Sequence, residues 1–328
     1  MPHRLVFTGK SQAGMETFEP PAVASGQARV RALCSLMSIG TETIVFNRLF
    51  DPGTHWDRWV KYPFYPGYSL IGEVEEIGPQ TEGLNKGDRV ALRCSHASHH
   101  VVAADQCLPV PRDLDPKQAA WFALAKIASM GVRASECRLG SRVMVIGAGP
   151  VGQMAVRWLR AAGAEVLLAV DPVAKRLEWA MRGGATHGIA QPITEAMDEI
   201  KKANHGELPE IVIDSTGNAA VFAAALRLVK NRGRLVLLGD TGMPSHQCLT
   251  SDVISRGLSI VGAHDCHETA EWNAARIQRL FMALVQTGRF SLEGLNTHEF
   301  HPRDCVKAYA EASDRRGGIM GLLFDWTK

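Results

Sequence analysis

The chain has 328 residues, of which 46% are hydrophobic and 21% charged, with a formal net charge of +2. That balance is ordinary for a globular protein of about two domains and excludes both a disordered chain and the strongly basic surface of a nucleic-acid binder. No apolar run approaches a membrane span, the apolar start is too short for a signal peptide, and the seven scattered cysteines form no CxxC pair, so a cytoplasmic protein with no membrane or nucleic-acid partner, no disulfide framework and no thiolate zinc site is expected.

From Met1 to about Leu108 the pattern is mostly β. Apolar or alternating runs at 28–33, 70–78, 88–92 and 100–103 are punctuated by Gly and Pro, as in a small, bent, barrel-like domain. The stretch Asp113–Val132 turns helical, with a run of helix formers at 117–124. From Arg142 to about Ala263 strands alternate with helices; strands are expected at 143–146, 166–170, 210–213, 234–238 and 258–261, which argues for a doubly wound parallel α/β sheet. An amphipathic helix follows at 271–288, then a helix at 302–312 and a last strand at 321–324.

The most informative stretch is the apolar run Val143–Ile146 followed by Gly147-Ala148-Gly149-Pro150-Val151-Gly152. A strand leading through GxGxxG into a helix suits a dinucleotide: Gly147 permits the turn, Gly149 lets the backbone approach a pyrophosphate, and Gly152 lets the helix pack closely on the strand. The next strand ends in Asp171-Pro172, placing a carboxylate where it reaches adenosine ribose hydroxyls and opposes a 2′-phosphate. NAD is therefore expected before NADP, with Lys175 and Arg176 close by keeping NADP as the alternative. Later strand ends, carrying Ser215 and Thr216, Leu238 and Gly239, and Ala263 and His264, fall where such sheets bind their ligands.

The order of these parts, with G-x-V-x-x-I-G at 72–78 and G-D-R-V at 87–90 ahead of the GAGPVG turn, resembles the medium-chain dehydrogenase/reductase superfamily. The resemblance implies a GroES-like β-barrel catalytic domain over 1–125, a Rossmann domain over 126–264 and a segment over 265–328 that returns to the catalytic domain. It further implies hydride transfer with a nicotinamide cofactor, a small-molecule substrate in the cleft between the domains, and a homodimer or homotetramer. Where zinc members of the family carry Cys-Gly-x-Asp, this chain has Ile39-Gly40-Thr41-Glu42; where they carry Gly-His-Glu it has Gly67-Tyr68-Ser69; and the third ligand region reads Trp121-Phe122-Ala123-Leu124. The chain thus resembles the zinc-independent branch, including the subgroup related to the dehydrogenase of the bacteriochlorophyllide hydroxyethyl group, and no zinc is expected.

Without a Lewis acid, charge on the substrate oxygen has to be met by hydrogen-bond donors or a positioned acid. Thr41, at the place of a proton-relaying hydroxyl, and Tyr68, at the place of a ligand histidine, are the first candidates. Lys126, inside an otherwise apolar run, is the third, since a buried lysine with a lowered pKa is a usable proton donor. The cluster His96, Ser98, His99 and His100 is expected on a strand, with His96, Ser98 and His100 on one face. The aromatic stretch His55–Tyr65 is expected near the cleft, where it would suit a flat or apolar substrate. The main expectation is an alcohol/carbonyl oxidoreductase; a quinone or enone reductase and a non-catalytic NAD(H)-binding sensor are the alternatives.

Overall fold

The computed structural model describes residues 1–314 and 317–328. The chain opens with an antiparallel hairpin, β1 (His3–Gly9) and β2 (Gln12–Thr17). Strand β3 (Gln27–Met37) alternates buried and half-buried residues as far as Cys34 and is then buried throughout, the pattern of a strand passing from a solvated sheet face into the core. Helices α1 (Ile39–Asn47) and α2 (His55–Trp59) follow; Arg48, in the left-handed conformation, closes the first, and the Thr54 hydroxyl accepts from Asp57 N at the start of the second. Strands β4 (Leu70–Ile77), β5 (Arg89–Leu92), β6 (His99–Ala103) and β7 (Leu108–Pro109) complete most of a barrel.

Helices α3 (Pro116–Ala119) and α4 (Phe122–Ala134) lead out of the barrel. Six strands then alternate with helices: β8 (Arg142–Ile146), α5 (Pro150–Ala162), β9 (Val166–Val170), α6 (Ala174–Arg182), β10 (His187–Ile189), α7 (Met197–Ala203), β11 (Ile211–Asp214), α8 (Ala219–Leu228), β12 (Arg234–Leu237), α9 (Asp252–Ser255) and β13 (Ser259–Gly262). They form one wholly parallel sheet in the order β10-β9-β8-β11-β12-β13. The order reverses between β8 and β11, which is where a doubly wound sheet leaves a crevice at its carboxyl edge.

After α10 (Ala274–Gln286), the chain returns to the first sheet. Strand β14 (Asn296–Phe300) pairs with β15 (Gly321–Asp325), and β15 pairs with β3, with α11 (Cys305–Asp314) between the two new strands. The barrel sheet therefore runs β14-β15-β3-β4-β5-β7, with β6 also on β3. Together the two sheets give the fold as a GroES-like barrel and a Rossmann-like α/β sheet.

Helix α4 and the turn before it join the two halves. Trp121, Phe122, Ala123, Leu124 and Ala125 are buried in one apolar cluster with Cys34, Leu36 and Ile71 of the barrel and Val143, Val145 and Leu167 of the parallel sheet. The expected helix over 113–132 is thus broken into two at Ala120 and Trp121. The short strand β10, the hairpin β1–β2 and strand β14 carried too little periodicity to be foreseen. Trp121 is fully buried and its indole N–H donates to Asn296 at 2.8 Å, tying α4 to the returning segment. Trp121→Ala is expected to cost about 3–5 kcal/mol of stability, measured by urea unfolding.

Candidate functional site

A cleft of about 900 Å³ lies between the carboxyl edge of the parallel sheet and the barrel. Its nucleotide side is built from strand ends. Gly147, at φ +85, makes the turn after β8, and a Cβ there would meet the Thr216 methyl at 2.7 Å. A Cβ on Gly152 would lie 1.9 Å from the Gly147 carbonyl oxygen, so only glycine lets α5 approach β8 this closely. Nothing lies within 4 Å of a Cβ on Gly149, the N-cap of α5, so that side is open to a ligand at the helix N-terminus. Pro150 at the first helical position costs no intrahelical bond. The Ser215 hydroxyl donates to the carbonyls of Ile146 and Gly147 at 3.0 and 2.9 Å, locking the turn against β11.

Asp171 is 3% exposed at the end of β9. Its carboxylate accepts from the Ala148 N–H and the Val173 N–H, each at 2.8 Å, and lies 3.5 Å from the Arg176 guanidinium. A carboxylate has about four acceptor positions, so two backbone bonds orient it and leave capacity for a diol. Gln153, buried in α5, donates to the Ala148 and Arg176 carbonyls, each at 2.9 Å, and so spans the fingerprint turn and the start of α6. Arg157, 1% exposed, donates to the backbone carbonyl and side-chain oxygen of Gln153 and to the carbonyls of Trp179 and Ser291; burial lowers its pKa to about 10. All fourteen residues expected around the nucleotide (Gly147, Gly149, Pro150, Val151, Gly152, Asp171, Pro172, Arg176, Ser215, Thr216, Leu238, Gly239, Ala263 and His264) line this one cleft.

The barrel side carries Thr41 and Tyr68, with Ser38 ahead of both in chain order. The Tyr68 hydroxyl donates to the Ser38 hydroxyl and lies 3.3 Å from that of Thr41. Burial raises the Tyr68 pKa, while its two hydroxyl partners and the Arg93 guanidinium, 4.6 Å from the ring centre, pull it back down. Ser38 and Arg93 had no signal in the sequence, because what makes them part of the site is a contact with Tyr68 across the barrel.

Lys126 is not placed as expected. It is buried, but its ammonium lies 2.9 Å from Asp265 and 2.6 Å from Glu268, and it is absent from the cleft lining. The lysine expected as a proton donor is instead an anchor for the loop after β13, whose Asp265 also pairs with Arg93.

The histidine cluster is dispersed rather than aligned on one strand face, because β6 begins only at His99. His99 faces Glu75 at 3.7 Å, and His100 bonds the Ser95 carbonyl at 2.9 Å. His96 is wholly buried, with Nε2 3.1 Å from Glu42 and Nδ1 2.7 Å from the Ser35 hydroxyl. Glu42 also accepts from the Tyr309 hydroxyl at 2.6 Å and from the Ser38 N–H at 2.7 Å. This buried network fixes the first turn of α1, and with it Ser38, Ile39 and Thr41. The sequence held no sign of it, since Glu42, His96 and Tyr309 are brought together only by the fold.

Comparisons with known proteins extend this picture. Residues 38–112 match the family described as alcohol dehydrogenase GroES-like domain, and residues 150–281 match the family described as zinc-binding dehydrogenase. The two matches, in this order along the chain, support the medium-chain dehydrogenase/reductase superfamily. It is 27% identical to an L-threonine 3-dehydrogenase of Bacillus velezensis over 304 residues, 82% of this chain and 84% of that one. It is 24% identical to a D-guloside 3-dehydrogenase of Escherichia coli over 320 residues, 89% of this chain and 90% of that one. Among solved structures, the alcohol dehydrogenase zinc-binding domain protein from Burkholderia ambifaria superposes with a TM-score of 0.81 at 20% identity, covering 99% of this chain and 98% of that one. The protein is an alcohol dehydrogenase-like oxidoreductase.

These matches overturn the expectation of a zinc-free branch and of no zinc, because the family description and its structural neighbour are those of zinc-binding dehydrogenases. The local donor set is a separate matter. Ile39 and Tyr68 line the cleft, Trp121–Leu124 are buried in the core, and among the described residues no group of three or more His, Cys, Asp or Glu side chains is gathered to hold a metal ion. Zinc needs about three such donors in a catalytic site. The residues present do not fit it.

Two outcomes follow from this geometry. Gly152→Ala is expected to lower the melting temperature and abolish dinucleotide binding, read by thermal unfolding with and without cofactor, because its methyl group collides with the Gly147 carbonyl. Burial lowers the His100 pKa from 6.5 to about 4. The unfolded chain then binds a proton that the folded chain refuses, so stability is lost as pH falls from about 6.5 toward 4, by up to about 3 kcal/mol. His100→Gln is expected to flatten this part of the urea-unfolding pH profile.

Proposed function

We propose that the protein is an NAD(H)-dependent oxidoreductase that interconverts an organic alcohol and its carbonyl compound. The observation that carries this reading is the single cleft in which the fingerprint glycines and Asp171 face the hydroxyls of Thr41, Tyr68 and Ser38. Asp171, fixed by two backbone N–H groups, is a ribose-diol acceptor that repels a 2′-phosphate; this supports NAD over NADP, with Arg176 as the group that softens the discrimination. The open N-terminus of α5 offers its backbone N–H groups to a pyrophosphate.

A bound nicotinamide supplies hydride transfer. The chain's own residues orient the substrate oxygen and manage its charge. Thr41 and Tyr68 hold hydroxyls 3.3 Å apart, a spacing at which one substrate oxygen is able to meet both. The raised pKa keeps the Tyr68 phenol protonated at neutral pH, and its one proton, given to Ser38 in this structure, turns to the substrate oxygen as charge develops there. Ser38 holds the phenol oxygen in place beside Thr41, and the Glu42–His96 pair holds the helix turn that carries Ser38 and Thr41.

NAD is expected to bind at least about tenfold more tightly than NADP by isothermal titration, with Asp171→Ala narrowing the gap. Tyr68→Phe is expected to lower kcat about 100-fold with little change in KM, and Thr41→Val to lower it less. An unchanged rate in either variant removes that residue from the mechanism. NAD reduction with secondary alcohols is the direct assay, and binding of NAD without turnover of any alcohol or carbonyl compound refutes the proposal.

A further inference from the structure

The cleft residues contributed by α1, α2, Tyr68, Arg93, Ile127 and Ile319 form a wall facing the nucleotide side. Trp59, in α2, is 50% exposed within that wall. Tryptophan is highly buried on average, and an indole left open in a cleft is contact surface for a ligand. The ring is held from behind. It meets Phe64 edge-on, with centroids 5.1 Å apart, and the buried Trp56 at 5.8 Å. Ile44, Ile127 and Ile319 extend the same wall with aliphatic surface.

The charged groups on this side are already paired. His55 Nε2 lies 2.9 Å from Asp240, and Arg93 pairs with Asp265 while covering the Tyr68 ring. Polar recognition is thus concentrated at the hydroxyls of Ser38, Thr41 and Tyr68. A polyol or an amino acid brings several hydroxyls or charges into this space, and each one left without a partner carries a desolvation penalty. A substrate with one oxygen at the hydroxyl group and a flat apolar body avoids that penalty and buries its body against the indole.

Resting on the alcohol/carbonyl reading above, we infer that the substrates carry the reacting oxygen on an aryl or similarly flat, apolar group, and that Trp59 is the residue that selects them. The amino acid and sugar that name the relatives are a different chemical class.

The test compares kcat/KM of the full-length enzyme with NAD on benzyl alcohol, 1-phenylethanol, 2-propanol, sorbitol and threonine. The aryl alcohols are expected to exceed sorbitol and threonine by at least about 100-fold, and Trp59→Ala to lower the ratio of 1-phenylethanol to 2-propanol about tenfold, the scale of one aromatic contact. Trp59→Phe, which keeps a ring and guards against loss of the fold, is expected to restore most of that ratio. Turnover of sorbitol or threonine as efficient as that of the aryl alcohols overturns the inference, as does a Trp59→Ala loss that is equal for all substrates.

Should no alcohol be oxidised, the alcohol/carbonyl reading fails, and calorimetric binding of 1-phenylethanol to the NAD-saturated protein still judges the wall. Binding weakened about tenfold by Trp59→Ala supports the aryl site; absence of binding, or binding indifferent to Trp59, overturns it.

Discussion

The site depends first on helix α4, which has no polar face to spare. Its residues from Phe122 to Ala125 share one apolar cluster with strands of both sheets, so neither sheet buries its own face without it. Hydrogen bonds reinforce the apolar contacts. The Ser69 hydroxyl reaches the Ala120 carbonyl just before the helix, and the Trp158 indole reaches the Ala125 carbonyl within it, linking the barrel and α5 to the same axis. Farther along, Gly131 leaves just enough room for Leu238, a wall of the cleft, whose methyl groups would lie 2.9 and 3.0 Å from a Cβ there. Close packing of this kind does not deform continuously. The separation between the nucleotide side and the hydroxyl group is therefore set by the helix rather than by the loops that face each other.

Polar groups fixed deep in the barrel set the fine geometry. Glu42 and His96 are buried beside each other, and their remaining hydrogen-bond capacity is taken by Tyr309, Ser35 and the Ser38 N–H. Ser35 in turn accepts from the Trp326 indole, so the last strand and the first helix are joined through one chain of hydrogen bonds. A buried network is stabilising only when each member is satisfied, and a satisfied one holds its members in a single arrangement. That rigidity is delivered to the turn bearing Ser38, Ile39 and Thr41, where the relatives' zinc-binding chemistry and this chain's side chains part company.

Most of the geometry at the carboxyl edge of the parallel sheet was legible in the sequence because local rules govern it. A strand, a glycine turn and a helix in immediate succession specify their own geometry, and Asp171 falls at the end of the next strand by the same logic. The barrel side was not legible to that extent. Tyr68 and Thr41 were recognised as candidates, but their partners Ser38 and Arg93 depend on how strands β3, β4 and β5 lie together. Lys126 misled for a physical reason: burial of a lysine in an apolar run says nothing about whether carboxylates from a distant loop, here Asp265 and Glu268, come to meet it. The expectation about zinc failed differently, since side chains at three places in a chain do not decide which proteins the rest of it resembles.

The pairing of β15 with β3 has a further consequence for how the molecule is assembled during synthesis. Every strand of the parallel sheet lies between residues 142 and 262, so that sheet is complete in sequence well before β14 and β15 have been made. The barrel, although it begins first, lacks two adjoining strands until the end of the chain emerges, and the edge of β3 from Cys34 to Met37 stays open meanwhile. An unpaired apolar strand edge is a template for wrong partners. The half of the protein that is translated first is thus the last to be closed, and its exposure to misassembly lasts as long as the ribosome takes to traverse the parallel-sheet half.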